Sequence, residues 1–234
     1  MTTGFHTATA GMLWSQKALD VTANNISNLS TSGYKADKAS FADLLYTEVK
    51  QPGSNPALKV GHGSKINKTD TVFSAASLTQ TNKPQDYALP DTRNFFAVRT
   101  PQGRIIYTRG GSFQLSRHAD GLNYLVDSAG NEVLDPNGNS IVVTNIQEKQ
   151  NLGVFTFANL DGLKKTSGGF EATALSGEAI RVPGAEVRQG VLEASSADMT
   201  TEISNMIIQE RAYQLNAKMV VMTDEVMQAV NNLR

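Results

Sequence analysis

Three histidines, a few aspartate-containing turns and two glycine pairs are the residues of this 234-residue chain whose types could support catalysis or metal binding. His6, His62 and His118 stand alone in sequence. None falls in an HxxxH or HExxH spacing, which would bring two imidazoles onto one helix face for a metal. Asp135-Pro136-Asn137-Gly138-Asn139 begins like a calcium loop, but it has serine where such a loop needs glycine at the sixth position and isoleucine where it needs glutamate at the twelfth. A hairpin turn accounts for it. Asp161-Gly162 and Gly168-Gly169 flank two lysines and read as turns as well. The chain has no GxSxG elbow, no GxxxxGK[ST] loop and no GxGxxG after a strand. Carboxylates gather only at helix starts and turns. The expectation is a protein with no enzymatic activity, no cofactor and no metal.

Bulk properties narrow the class further. The absence of cysteine removes disulfides, thiolate zinc sites and thiol catalysis together. A formal net charge of −1 supplies no field for a polyanion, so no nucleic-acid partner is expected. No run of 18 apolar residues occurs, so no membrane insertion is expected either. The segment MTTGFHTATAGMLWSQKALD lacks the basic and apolar regions of a cleavable signal peptide. The expected location is cytoplasmic, or outside by a route that reads no such peptide.

The elements that would position any functional residue are of two kinds. Near the N-terminus, Phe5, Ala8, Met12, Ser15, Leu19, Thr22, Ile26 and Leu29 follow a 3-4 spacing that predicts a helix from about residue 4 to 29. Near the C-terminus, Ile208, Ala212, Leu215, Met219, Met222, Val226, Ala229 and Leu233 alternate 4-3. A second stripe there runs through Met206, Tyr213, Ala217, Val220 and Met227, about 140° around the same helix. Two stripes imply contacts on two sides. Asp198 and Glu202 suit this helix's start, where negative charge meets the positive end of the dipole.

Between the ends, short runs such as Phe95–Val98, Arg104–Tyr107, Tyr124–Val126, Ile141–Val143 and Val154–Phe157 alternate with turn formers, the pattern of antiparallel hairpins. The expected fold is therefore α+β: long N- and C-terminal helices pairing as a coiled-coil-like module, with a central antiparallel all-β domain. Residues 1–45 and 190–234 would form the helical module, 46–83 an extended linker or loop, and 84–189 the β domain.

One stretch fits this scheme poorly. NNISNLSTSGYK, residues 24–35, puts three asparagines at the end of an amphipathic helix, each costing roughly 0.6 kcal/mol relative to alanine. This stretch resembles the signature of bacterial flagellar rod and hook proteins, whose first helix ends in a pattern like NNLANxxTxGFK. The likeness continues through Ala10-Gly11-Met12, Ala18-Leu19-Asp20-Val21 and Ser40–Leu45. It reappears in Gln189-Gly190, Leu192-Glu193, Glu202, Met206-Ile207, Gln209, Arg211-Ala212-Tyr213, Lys218, Asp224-Glu225 and Asn232-Leu233. Leu78–Thr81, Phe95–Val98, Tyr107-Thr108-Arg109 and Ser176-Gly177 are similar to family landmarks in the middle.

The resemblance implies an axial subunit of the flagellar basal body whose terminal helices pack with those of neighbouring copies. It implies unprocessed export through the flagellar type III apparatus. Partners would be the chain itself, other rod and hook subunits, the export apparatus and the surrounding bushing rings. YTEVKQPGSNPALKVGHG most resembles the stretch found in distal rod subunits. Asn94 and Ser196-Ala197 depart from the family pattern and leave a proximal-rod or hook-type paralogue as alternatives. A secreted β-domain binding protein with helical tails is the alternative outside the family. The expected self-assembly residues are Phe5, Met12, Leu19, Asn24, Asn25, Ile26, Asn28 and Leu29 in the first helix, and Ile208, Ala212, Tyr213, Leu215, Met219, Val220, Met222, Val226 and Leu233 in the second. The three asparagine amides would then tie one subunit's helix end to its neighbours and set register.

Overall fold

The computed structural model describes residues 2–49, 58–118 and 120–233. In chain order these form α1 (Thr2–Ser27), β1 (Asp37–Asp43), β2 (Thr47–Val49), β3 (Leu58–Val60), β4 (Ser64–Thr71), β5 (Leu78–Gln80), β6 (Tyr87–Ala88), β7 (Asn94–Arg99) and β8 (Ile105–Thr108). There follow β9 (Gln114–Arg117), β10 (Asn123–Val126), β11 (Glu132–Val133), β12 (Val154–Thr156), β13 (Lys164–Thr166), β14 (Gly169–Glu171), β15 (Ile180–Arg181), β16 (Arg188–Gln189), β17 (Val191–Glu193) and α2 (Met199–Asn232). The class is α+β, as expected. The chain divides into two compact units, neither continuous in sequence. One comprises Met1–Ser27, Asp37–Asp70 and Asp198–Arg234, and the other Asn28–Ala36 and Thr71–Ala197.

In the helical unit α1 packs antiparallel against α2. Asp198 caps α2, its carboxylate accepting from the Thr201 backbone N–H at 2.8 Å and the Thr201 hydroxyl at 2.7 Å. Those bonds hold the Asp198 carboxyl below its usual range. No proline or glycine follows before the helix ends at Asn232, so nothing interrupts its 34 residues. The same unit carries the pairs β1–β4 and β2–β3, the latter with Glu48 opposite Lys59. Much of the stretch 46–83, expected as a linker, is thus strand: β2 to β5 lie within it, while residues 50–57 lie outside the described ones. Polar alternation such as SKINKTDT hid β4, because a strand covered on one face needs few apolar residues.

The β unit is organised around β7. Its neighbour from Phe96 to Arg99 is β8, with Val98 opposite Ile106. On the other edge β12 takes the first half (Val154 opposite Phe96) and β11 the second (Val133 opposite Val98). Hydrogen-bonded order across the sheet is β13-β14-β8-β7-β11-β10-β9, with β12 bridging β7 and β15. Successive side chains of a strand point to opposite faces. Phe96 and Val98 therefore enter a core with Tyr87, Leu89, Phe113, Leu125 and Val154, while Phe95 and Ala97 enter a second with Tyr107, Leu134, Phe157 and Phe170. Both faces of β7 are covered, which is why its sequence reads as an unbroken apolar run. The expected strand at Ile141–Val143 forms only a bridge, Val142 opposite Tyr124, with Leu125 N–H donating to Ile141 O.

Candidate functional site

The covered face of α1 is not the one with the largest side chains. Ala8, Ser15, Ala18, Thr22 and Asn25 are buried, and Gly11 completes their 3-4 series. A Cβ placed on Gly11 would meet the Asn216 amide at 2.7 Å, so α2 passes close at that point. Of the stripe expected from sequence, Ala8, Ser15 and Thr22 belong to this seam. Met12, Leu19, Ile26 and Leu29 are half-buried, and Phe5 is exposed. Sequence reasoning missed Gly11, Ala18 and Asn25 as seam members, although small residues at heptad spacing were there to be seen.

On α2 the covered positions are equally unexpected. Glu202 is buried, and Gln209, Asn216 and Thr223, each seven further on, are half-buried. The large apolar residues point elsewhere. Ile208, Tyr213, Leu215, Met219, Met222, Val226 and Leu233 are exposed, as are Met206 and Met227, while Ala212, Ala217 and Val220 are partly covered. A soluble monomer seldom displays so long a row of apolar side chains.

Asn25 is only 1 % exposed and finds its partners inside its own chain. Its Oδ1 accepts from the Asp37 backbone N–H at 2.9 Å, and its Nδ2 donates to the Asp37 carbonyl at 2.8 Å. A side-chain amide carries the same donor and acceptor as a peptide, so Asn25 stands in for a strand neighbour where β1 begins. Nδ2 also donates to Glu202 Oε1 at 3.0 Å. Burial holds the Glu202 carboxyl above its usual range, with the Asn25 and Asn205 hydrogen bonds opposing. This differs from the expected intersubunit tie. The reason is geometric: α1 turns back within a few residues, and Asn25 is where the returning strand meets it. Asn28 serves the turn itself, its Oδ1 accepting from the Thr31 hydroxyl at 3.1 Å, and Asn24 is exposed.

The rest of the asparagine-rich stretch is built into the β unit. Glu193 lies at the centre of a buried ion cluster. Its Oε1 accepts from Lys35 Nζ at 2.8 Å and its Oε2 from Arg109 Nε at 2.7 Å, with all three side chains at most 3 % exposed. Lys35 also donates to the Ser74 carbonyl, and the Arg109 guanidinium to the carbonyls of Leu89, Asp91 and Asn94. Burial pulls the Lys35 ammonium below its usual pKa, against the pull of Glu193. Gly33 completes the arrangement. Its N–H donates to the Glu193 carbonyl, its φ is +69°, and a Cβ there would lie 2.4 Å from the Arg109 carbonyl. Glycine is required there. Sequence reasoning noted Arg109, Glu193 and the stretch that holds Gly33 and Lys35 separately but could not join them, because Lys35 and Glu193 are 158 residues apart.

Asp135 accepts from the N–H groups of Asn137 and Asn139, a self-contained turn. His118 stacks on Tyr124, and among the described residues no three His, Asp or Glu side chains converge as a metal site.

Three family models match in chain order. One for the flagella basal body rod protein matches residues 5–35, one for the flagellar hook protein FlgE/F/G D1 domain matches 91–163, and one for the flagellar basal body rod FlgEFG protein C-terminal matches 188–233. The first contains Asn25, Gly33 and Lys35, the second Arg109, and the third Glu193 and Glu202. Flagellar basal-body rod protein FlgG of Borreliella burgdorferi is 33 % identical over 97 % of both chains. Its counterparts are 30 % identical in Buchnera aphidicola subsp. Schizaphis graminum, over 92 % of this chain and 93 % of that one, and 29 % identical in Bacillus subtilis over the whole of both. With its helical ends, its central β unit and relatives matching it end to end, this chain belongs to the flagellar basal-body rod protein family.

Proposed function

We propose that the chain is a structural subunit of the flagellar rod that assembles with copies of itself and with other axial subunits through its terminal helices, after export by the flagellar type III apparatus. The observation that carries the proposal is the apolar row on α2, from Ile208 and Leu215 through Met222 and Val226 to Leu233, exposed in the single chain. In a polymer each such row is covered by a neighbour, at roughly 25 cal/mol per Å² of apolar surface removed from water. Phe5, Met12, Leu19 and Ile26 would supply the matching contacts from α1, with Asn24, Asn28 and Leu29 at its end. The chain would be a distal rod component, running inside the bushing rings of the cell envelope, and it would carry out no catalytic step.

Deleting the gene tests this. The strain should be non-motile, and its isolated basal bodies should lack a complete rod by electron microscopy. Complete rods in the deletion strain would contradict the proposal. An epitope inserted at the exposed Gln102 turn, located by immunogold, should mark the distal part of the rod. Label confined to the cell-proximal part would reassign the chain to a proximal paralogue.

A further inference from the structure

We propose that the buried hydrogen bond between Asn25 and Glu202 is a register lock: it selects one alignment of α1 on α2, and assembly of the rod requires that alignment. Two contacts define the alignment. Gly11 meets Asn216 at one level, and Asn25 meets Glu202 at another, fourteen residues away along each helix. Equal spacing on both strands of an antiparallel pair means that the helices keep step over about 21 Å. The same register sets Ala18 level with Gln209, so Asn216 and Gln209 each have a small residue at their level, until Asn25.

That pattern explains why a lock is needed. The seam of α1 is Ala8, Gly11, Ser15, Ala18, Thr22 and Asn25, all buried but the half-covered Gly11, a heptad series of small and medium-sized residues. Glu202, Gln209, Asn216 and Thr223 also recur every seven residues. Sliding one helix past the other by a heptad therefore costs little in shape over most of the contact. The exception is the Asn25 level. A slip that brings Glu202 level with Ala18 removes the Asn25 amide from a buried carboxylate, which keeps only its neighbour Asn205 on the same helix. Losing a buried hydrogen bond to a carboxylate is costly. A single polar pair at a seam position is an established way to specify register. Because Asn25 is also bonded at both backbone groups of Asp37, the lock is itself held in place.

Register matters to assembly, on the rod reading given above, because α2 carries its apolar row on the side away from α1. A heptad slip would displace that row by about 10 Å relative to the residues of α1 that share the outer surface.

The chain has no cysteine, so introduced pairs report register without background. Gly11→Cys combined with Asn216→Cys should form a disulfide in the soluble chain, in preference by about tenfold or more to Gly11→Cys with Gln209→Cys or Thr223→Cys. Adding Glu202→Leu, which leaves the bonds between Asn25 and Asp37 whole, should reduce that preference to less than about twofold. Glu202→Gln keeps an acceptor for Asn25 and should preserve it. Asn25→Ala provides a second route to the same reading if Glu202→Leu does not fold. An unchanged preference in the leucine variant, or a lost preference in the glutamine variant, would overturn the lock. Rods should be short or missing in the Glu202→Leu strain, and normal rods made from a chain whose crosslinks have shifted would overturn the requirement for assembly. The crosslinks are read in soluble protein, so they stand apart from the gene-deletion test of the rod function.

Discussion

At the scale of single residues, Glu193 carries the greatest burden. Its carboxylate pairs with both Lys35 and Arg109, and both cations are out of water. Replacing it with alanine leaves two buried charges facing one another, at an expected cost of about 3–5 kcal/mol. Lys35→Met should cost less, about 1–2 kcal/mol, because Arg109 and Glu193 remain paired while one buried charge disappears. Urea unfolding followed by near-ultraviolet circular dichroism of the tyrosines would rank them. Equal losses would mean that Lys35 contributes as much as the carboxylate. Glu202 makes a different prediction. Its folded carboxyl binds its proton more tightly than the unfolded one, since burial raises its pKa. The helical unit should therefore gain stability from this group as pH falls through the folded value towards 4.5, and lose it as pH rises. In Glu202→Gln that contribution vanishes, so the pH dependence of the helical signal at 222 nm should be flatter. Identical pH profiles would mean that Glu202 titrates normally. The asparagines' oddity was legible in the sequence as poor helix formers at a helix end. Their partners were not, because Asn25 meets Asp37 and Glu202 only once the chain has returned.

At the scale of elements, the two helices separate packing within the chain from packing between chains by side-chain size. Small residues of α1 face α2, and large residues of α2 face outward. Two substitutions should dissociate the roles. Ala18→Leu forces extra volume into a covered seam and should destabilise the soluble helical unit by about 1–3 kcal/mol. Leu215→Asp sits at 63 % exposure, so it should change soluble stability by less than about 0.5 kcal/mol yet abolish swimming. Thermal melts of both proteins, with motility of both strains, check the pair. A motile Leu215→Asp strain with normal export would exclude that row from assembly. Hydrophobic periodicity made both helices visible from sequence, yet it pointed to Met12, Leu19 and Ile26 as the seam of α1. The reason is that periodicity weights bulk, whereas a close helix contact selects for its absence. β4 was missed for a related reason, since polar alternation does not stand out from a loop rich in lysine and threonine.

At the scale of the whole molecule, sequence composition marks a helical part and a β part but misplaces the seams between them. The expected boundaries fell at 45, 83 and 189, where apolar patterning changes. The compact units change over at 27, 36, 70 and 197. Residues 28–36 look like the tail of a helix, but Gly33 and Lys35 bond to Glu193 and Ala36 to Ser196, and the stretch belongs to the β unit. No local signal carries that information. The central claim is that the outward row of α2 is an assembly surface, and thiol reactivity tests it most directly. With Met222→Cys as the only cysteine, maleimide should label the soluble chain readily, since Met222 is 56 % exposed. In rods of isolated basal bodies the same thiol should react about tenfold or more slowly, while Gln102→Cys on the β unit's exposed turn changes little. Equal labelling of Met222→Cys in the soluble chain and the rod would contradict the account.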